Sequence, residues 1–145
     1  MTKWGTLLHR VFQDAELSDP VVAKDLGGVE AALGVRLPAD LSGCLAETNG
    51  ASALYGTAIL WSAAEIVERN REMRDTEDFR DLYMPFDALL FVGEGGNGDL
   101  FGYRVLVGGI KWPDLYRWDH EDDSRTWFAR DLEDYLRRLA DPAVM

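Results

Sequence analysis

The sequence predicts an α+β domain in which helices pack on a mainly antiparallel sheet. Helical periodicity dominates the first half of the 145 residues, whereas strand-like segments follow one another after Pro85. Hydrophobic residues make up 47% of the chain, enough to bury a core, and no linker-like stretch divides it. We therefore expect a single domain over residues 1–145, with residues 1–17 as a helical extension at its start.

Three helices are predicted before residue 50. The first is indicated by apolar side chains at helical spacing: Trp4, Leu7, Leu8, Val11 and Ala15. The second follows the start signal Ser18-Asp19-Pro20 and stops at Gly34, and its apolar face comprises Val22, Leu26, Val29 and Leu33. The third begins at Leu37-Pro38 and ends at Asn49-Gly50. It carries the single cysteine, Cys44, on its apolar face, so we expect a buried structural thiol rather than a nucleophile.

The pattern changes after residue 50. The run ALYGTAILW, residues 53–61, predicts one strand with Gly56 as a bulge or bend. Ser62 and Glu65 then form a capping box, which predicts the start of a helix with a charged outer face. The following run DTEDFRDLYMP, residues 75–85, is interpreted as a polar connection.

Consecutive strands are predicted after the connection, separated by glycine-rich or acidic turns. They are ALLFVG at 88–93, LFGYRVLV at 100–107, LYRWDH at 115–120 and RTWFA at 125–129. A last helix is predicted to start near Asp131, whose side chain can cap it. Its apolar stripe consists of Leu132, Tyr135, Leu136 and Leu139.

The loop between the first two of these strands has the spacing G-x-G-x-x-G, formed by Gly93, Gly95 and Gly98. A dinucleotide-binding loop would be followed by a helix, but a strand follows here. A kinase loop would require catalytic and metal-binding strings that the chain lacks. We therefore expect a hairpin connection in which the glycines, together with Asn97, adopt positive φ.

Acidic residues outnumber basic ones by 26 to 15, which gives a net charge of −11. Binding to nucleic-acid phosphates needs clustered lysine and arginine, so nucleic acid is not an expected partner. A negative field instead favours cationic partners and speeds their association. The chain shows neither the roughly 20 apolar residues that cross a bilayer nor a signal-peptide pattern. We therefore expect no membrane partner, and the lone cysteine is typical of the reducing cytoplasm.

The densest acidic cluster is WDHEDDS, residues 118–124. It fails the calcium-loop template, because Ser124 replaces the required glycine and Arg130 occupies the twelfth position. His120 would be at most a weak metal ligand, since the chain has only two histidines. A hydrogen-bonded turn is the favoured interpretation. No nucleophile and base are brought together by the sequence, so we expect no enzyme activity, no cofactor and no metal site.

The order of these motifs resembles the SUKH superfamily, the Smi–Knr-like group. The resemblance covers residues 22–139 and depends on Leu37-Pro38 followed by Asn49-Gly50, then Gly95–Asp99, then Trp118–Glu121. It implies an α+β fold and a role as a bacterial immunity protein, which binds and neutralises a toxin, commonly a nuclease, without catalytic residues. Two alternatives stay open: a regulatory protein-interaction module on the same fold, and an enzyme or ligand-binding protein that uses the acidic turn.

If the protein binds a cationic toxin, we expect exposed carboxylates at strand ends to contact it. The predicted contact residues are Asp119, Glu121, Asp122 and Asp123, then Glu94 and Asp99 in the neighbouring turn, with Trp112 as an apolar anchor. The N-terminal helix either caps the sheet or contributes to dimerisation, so the expected state is a monomer or a weak homodimer.

Overall fold

The computed structural model describes residues 3–142, and only the backbone of residue 80, so the predicted limits at residues 1 and 145 lie outside the described residues. The helices are α1 Lys3–Val11, α2 Ala23–Leu33, α3 Ala39–Leu45, α4 Ala63–Asp75, α5 Glu77–Leu82 and α6 Leu132–Ala140. The strands are β1 Glu16–Leu17, β2 Ala51–Ala53, β3 Thr57–Leu60, β4 Leu89–Glu94, β5 Leu100–Arg104, β6 Leu115–Trp118 and β7 Arg125–Ala129. A short 3-10 helix, Phe86–Ala88, precedes β4.

The strands form two antiparallel sheets, which confirms the predicted α+β fold. The first has the order β1-β2-β3 and the second the order β4-β5-β6-β7. The second sheet is a meander, because each of its strands pairs with the next one in the chain. The sheets meet where the Trp61 N–H donates to the Val92 carbonyl oxygen, at 2.7 Å. Backbone polar groups at this junction are thus paired although the two sheets are separate.

Aromatic side chains fill the core on the two faces of the second sheet. On one face, the ring of Phe101 lies 4.6 Å from that of Phe128 and 5.2 Å from that of Tyr135 on α6. On the other face, Phe86 lies 5.3 Å from Trp118 and 5.7 Å from Phe91. These spacings are typical of favourable edge-to-face and tilted aromatic pairs. Both faces of the meander are therefore covered, and its turns project from a rigid base.

Asn70 on α4 ties the helix to β4, which is the outermost strand of its sheet. The side chain is 1% exposed. Its amide nitrogen donates to the carbonyl oxygens of Ile66 and Phe91, at 2.7 and 2.8 Å, and its oxygen accepts from the Phe91 N–H, at 2.8 Å. Phe91 is on an edge strand, so its N–H and carbonyl oxygen point away from the sheet, and buried backbone groups are costly when unpaired. The Asn70 side chain pairs both of them.

The N-terminal segment is part of the core rather than a helical extension over residues 1–17. α1 ends at Val11, and Glu16 and Leu17 form a strand that pairs with Ser52 and Ala51. The buried side chains of this segment are Trp4, Leu7, Leu8 and Phe12. The apolar pattern therefore predicted the helix, but Ala15 lies beyond its end, because the chain turns there to pair with β2.

The segment predicted as one strand over 53–61 is a hairpin. The chain turns at Leu54 and Tyr55, which both adopt positive φ, at 52° and 64°. Such angles are unfavourable for side chains with a Cβ, and here Asp14 holds them by accepting from the Leu54 and Tyr55 N–H groups, at 3.0 and 2.8 Å. The bend expected at Gly56 falls in this turn, where Gly56 has a φ of 83°. The single strand was wrong because the carboxylate that stabilises the turn comes from a distant part of the chain.

Two further limits differ from the prediction. The polar connection over 75–85 contains α5, and the strand predicted to reach Val107 ends at Arg104. Beyond it Leu106 and Gly109 form a tight turn of their own, with two backbone hydrogen bonds of 2.9 Å. Val22, expected on a buried face, is 60% exposed because it precedes α2 in an extended conformation.

Candidate interaction surface at the acidic turn

The glycine loop joins β4 and β5 as a hairpin, as the flanking strand patterns predicted. Gly96 and Gly98 adopt positive φ, at 86° and 99°. The positive φ expected for Gly93 and Gly95 is not observed, and the same expectation for Asn97 is wrong. Instead its side-chain oxygen accepts from the Asp99 N–H, at 3.1 Å, a turn that asparagine forms readily. A Cβ at Gly98 would lie 2.9 Å from Nδ1 of His120, so a glycine is required where the His120 ring crosses the loop.

Asp99 ends this loop and is buried, at 1% exposure, although the sequence predicted an exposed carboxylate. Arg117 Nε donates to its Oδ2 at 2.9 Å, and His120 Nδ1 lies 2.8 Å from its Oδ1. The His120 backbone N–H adds a third contact, at 3.3 Å. Burial of a carboxylate is tolerated only with such partners. Asp99 therefore joins the β4–β5 turn to the β6–β7 turn and does not form part of a free surface.

The same contacts set the ionisation of the pair. Burial raises the pKa of the Asp99 carboxyl, but hydrogen bonds from His120 and the charge of Arg117 outweigh it and leave the pKa below its ordinary value. The hydrogen bond to Asp99 raises the pKa of His120 above its ordinary value, against a smaller opposing effect of desolvation. The pair therefore favours a charged histidine beside a charged carboxylate.

The acidic turn, residues 119–123, connects β6 to β7, and Asp123 anchors it. Asp123 adopts a positive φ of 62°. Its carboxylate accepts from the Met84 N–H at 2.9 Å, from Trp118 Nε1 at 2.7 Å and from Arg125 Nη2 at 3.0 Å. Burial raises the pKa of Asp123, but these hydrogen bonds outweigh it and hold the pKa below its ordinary value. Asp123 was predicted as a contact residue, and its carboxylate is instead engaged in the turn itself.

The remaining carboxylates of the turn differ in exposure. Glu121 and Asp122 are exposed, whereas Asp119 is partly buried and lies 3.7 Å from Arg117. Glu94 of the neighbouring turn is partly buried and forms an ion pair of 3.5 Å with Arg69. Hydrogen bonding to Ser124 lowers the pKa of Asp122, which keeps this exposed group ionised well into the acidic range. Glu121 and Asp122 are thus the carboxylates of the turn best placed to meet a partner.

One compact group of metal-ligand types occurs in the described part of the chain. The ligand atoms of Asp99, Asp119 and His120 all lie within 4.8 Å of one another. Arg117 shares the site, since it contacts both carboxylates. A bound cation would have to break the contact between His120 Nδ1 and Asp99 and lie beside the Arg117 guanidinium, so the donor set fits an internal hydrogen-bonded ion-pair network better than a metal centre.

Trp112 lies apart from the acidic turn. Its side chain is 58% exposed. It lines a groove of about 440 Å³ whose other wall includes Pro38 and Asp131, at the starts of α3 and α6. The structure therefore does not bring this predicted anchor together with the predicted carboxylates.

The surface beside the turn was not predicted from the sequence. Leu82 and Met84 are exposed, at 69% and 58%, and the Met84 backbone is bonded to Asp123. The available signal was the run DLYMP, in which large apolar residues interrupt an acidic segment before a proline. Leu82, Tyr83 and Met84 are consecutive and show neither a helical nor a strand period, so this run predicts only a connection.

The fold and this surface define an α+β domain of two antiparallel sheets that presents an acidic turn from a rigid meander. The model of a family described as SUKH_6, SMI1-KNR4 cell-wall, matches residues 23–136. The chain therefore belongs to this family of the SUKH superfamily, as the order of its motifs indicated. No curated protein matches the chain. Among the described residues, the structure contains no helix long and apolar enough to cross a membrane.

Proposed function

We propose that the protein is an immunity protein that binds and neutralises a cognate bacterial toxin with a basic surface, such as a nuclease. The observation that carries the proposal is the acidic turn, which exposes Glu121 and Asp122 on a member of the SUKH family. Binding that blocks the toxin's functional surface is sufficient for this role, so the protein needs no catalytic residue.

The electrostatics support binding to a basic protein. A net charge of −11 on a 145-residue chain attracts cationic surfaces over distances comparable with the Debye length, about 8 Å at physiological salt. Exposed charges at an interface rim mainly raise the association rate, whereas buried anchors slow dissociation. Because Asp123 already holds the turn, its conformation does not have to form during binding. Association is therefore expected to be fast and sensitive to salt.

The test uses any toxin-like domain that is found encoded beside this gene. Co-expression should rescue cells from the toxin, and stopped-flow mixing should give the association rate at several salt concentrations. The double variant Glu121→Lys, Asp122→Lys should slow association by about tenfold or more at low salt and flatten its salt dependence. A matched control, Asp25→Lys with Glu68→Lys, makes the same change in net charge at exposed helix positions.

The control should change the rate by much less than the turn variant. Equal effects of the two double variants would show that net charge, and not the acidic turn, steers association. Failure of every toxin domain encoded beside the gene to bind would contradict the immunity role and favour the regulatory alternative.

A further inference from the structure

We infer that the binding surface extends from the acidic turn onto residues 77–88, and that it accepts a basic protein segment carrying one bulky apolar side chain. This inference deepens the proposed function, since it names the place and the chemistry of the contact. The surface is called the α5 face below and comprises α5, the 3-10 helix and the residues between them.

The apolar part of the α5 face is unusual for an exposed surface. Leu82 and Met84 are 69% and 58% exposed, two residues apart. Met84 lines a groove of about 450 Å³ together with the aromatic residues Phe79, Tyr83 and Phe86. Ligand-binding clefts begin at about 300 Å³, so the groove can hold one large side chain. Clustered exposed apolar side chains of this kind mark interaction sites.

The charge around the groove specifies the occupant. Between residues 75 and 87 the chain has five acidic residues and one basic residue. Asp75 and Asp87 line the groove itself. Arg74, which also lines it, donates from Nη2 to the Leu89 carbonyl oxygen at 3.0 Å and faces the attraction of both these carboxylates. Together with the exposed Glu121 and Asp122 of the acidic turn, the surface complements lysine or arginine on either side of an apolar anchor.

The α5 face and the acidic turn are held together as one surface. The Met84 N–H donates to Asp123 at 2.9 Å, while Arg125 donates to the carbonyl oxygens of Met84 and Pro85, at 2.7 and 2.9 Å. The ring of Tyr83 packs against Trp118 of β6 at 5.3 Å. The apolar and acidic parts therefore keep a fixed spacing, which lowers the cost of ordering on binding.

The first experiment measures binding of the toxin domain encoded beside the gene to the double variant Leu82→Lys, Met84→Lys. Both side chains are exposed, and the Met84 backbone bonds do not depend on its side chain, so the thermal midpoint should stay within a few degrees. We expect Kd to rise by about 30-fold or more, as for loss of an interface anchor. The matched control Val107→Lys, Trp112→Lys adds the same charge at exposed apolar positions elsewhere and should change Kd by about threefold or less.

If Val107→Lys, Trp112→Lys raises Kd more than Leu82→Lys, Met84→Lys does, the inference is overturned and the contact lies at the groove lined by Trp112. If both double variants bind the toxin with an unchanged Kd, the inference is also overturned, while the immunity role stays intact.

The second experiment does not depend on the toxin. A synthetic peptide of alternating lysine and leucine is titrated into the isotope-labelled protein, and backbone amide shifts are followed by NMR. We expect saturable shifts at residues 82–84, 86–87 and 119–123, which weaken when serine replaces leucine and vanish when glutamate replaces lysine. Shifts centred on residues 110–113, or spread evenly over the acidic surface, would overturn the inference. Shifts on the α5 face without toxin neutralisation would support the surface and contradict the immunity role.

Discussion

The replacement Asn70→Ala tests how β4, the strand that leads into the glycine loop, is held against α4. It removes the side chain that pairs both the N–H and the carbonyl oxygen of Phe91, each at 2.8 Å. Each buried group left unpaired costs about 1–3 kcal/mol. Since some water can reach an edge strand once the amide is gone, we expect a loss of about 3 kcal/mol in the free energy of unfolding. Domains of this size have about 5–15 kcal/mol in total, so the loss is large.

Urea denaturation followed by tryptophan fluorescence measures this free energy. Asn97→Ala is the matched control, because it removes the same amide group from a surface turn. There only one backbone N–H, that of Asp99, loses its hydrogen-bond acceptor, and water can replace it. It should cost about 1 kcal/mol or less. An Asn70→Ala variant as stable as the control, with an unchanged denaturant slope, would refute the argument that this side chain satisfies the strand edge.

Three further predictions concern the ion pair, a close approach and the thiol. The free energy of unfolding of the wild type should exceed that of His120→Gln by most between about pH 4 and 6.5. The pKa of His120 is raised, so the difference is lost as His120 deprotonates above pH 6.5; the pKa of Asp99 is lowered, so the difference is also lost as Asp99 is protonated below pH 3.8. A difference that grows above pH 7 in denaturation curves would contradict this. Gly93→Ala should cost about 3 kcal/mol or more in the same measurement, since its Cβ would overlap the Ile59 carbonyl oxygen. Burial, the largest cause, raises the pKa of Cys44 to about 12, so a thiol reagent at about pH 8 should label it only after unfolding; rapid labelling of the folded protein would show that the thiol is accessible.

Local patterns predicted much of the fold because their cause lies within a few residues. The capping box of Ser62 and Glu65 is formed as expected, with both reciprocal hydrogen bonds present. Asp131 caps α6 through the Asp134 N–H, at 2.8 Å. Gly34 ends α2 in the left-handed conformation that the stop signal implied. In each case the side chain and the backbone group that it satisfies are near neighbours in sequence.

Features that depend on distant partners were not predictable in this way. The burial of Asp99 requires Arg117 and His120, which lie on a strand and turn much later in the chain. The exposure expected for a turn carboxylate was therefore wrong. α5 was missed for a related reason: its run EDFRDL has no helical stripe, and Phe79 becomes partly buried only through packing against Tyr83 and Phe86. Contact sites built from such features need the three-dimensional structure.

The way α1 is attached bears on where this domain begins. The family match starts at residue 23. Upstream of it, the Trp4 N–H donates to the Glu47 carboxylate at 2.7 Å, and β1 supplies the outer strand of the first sheet. A fragment that starts at residue 23 and keeps all of α6 would uncover the apolar side of α6 against which α1 packs, and would leave β2 as an unprotected edge. We therefore expect the unit that unfolds cooperatively to include α1 and β1, upstream of the family match, and binding measurements call for this longer unit.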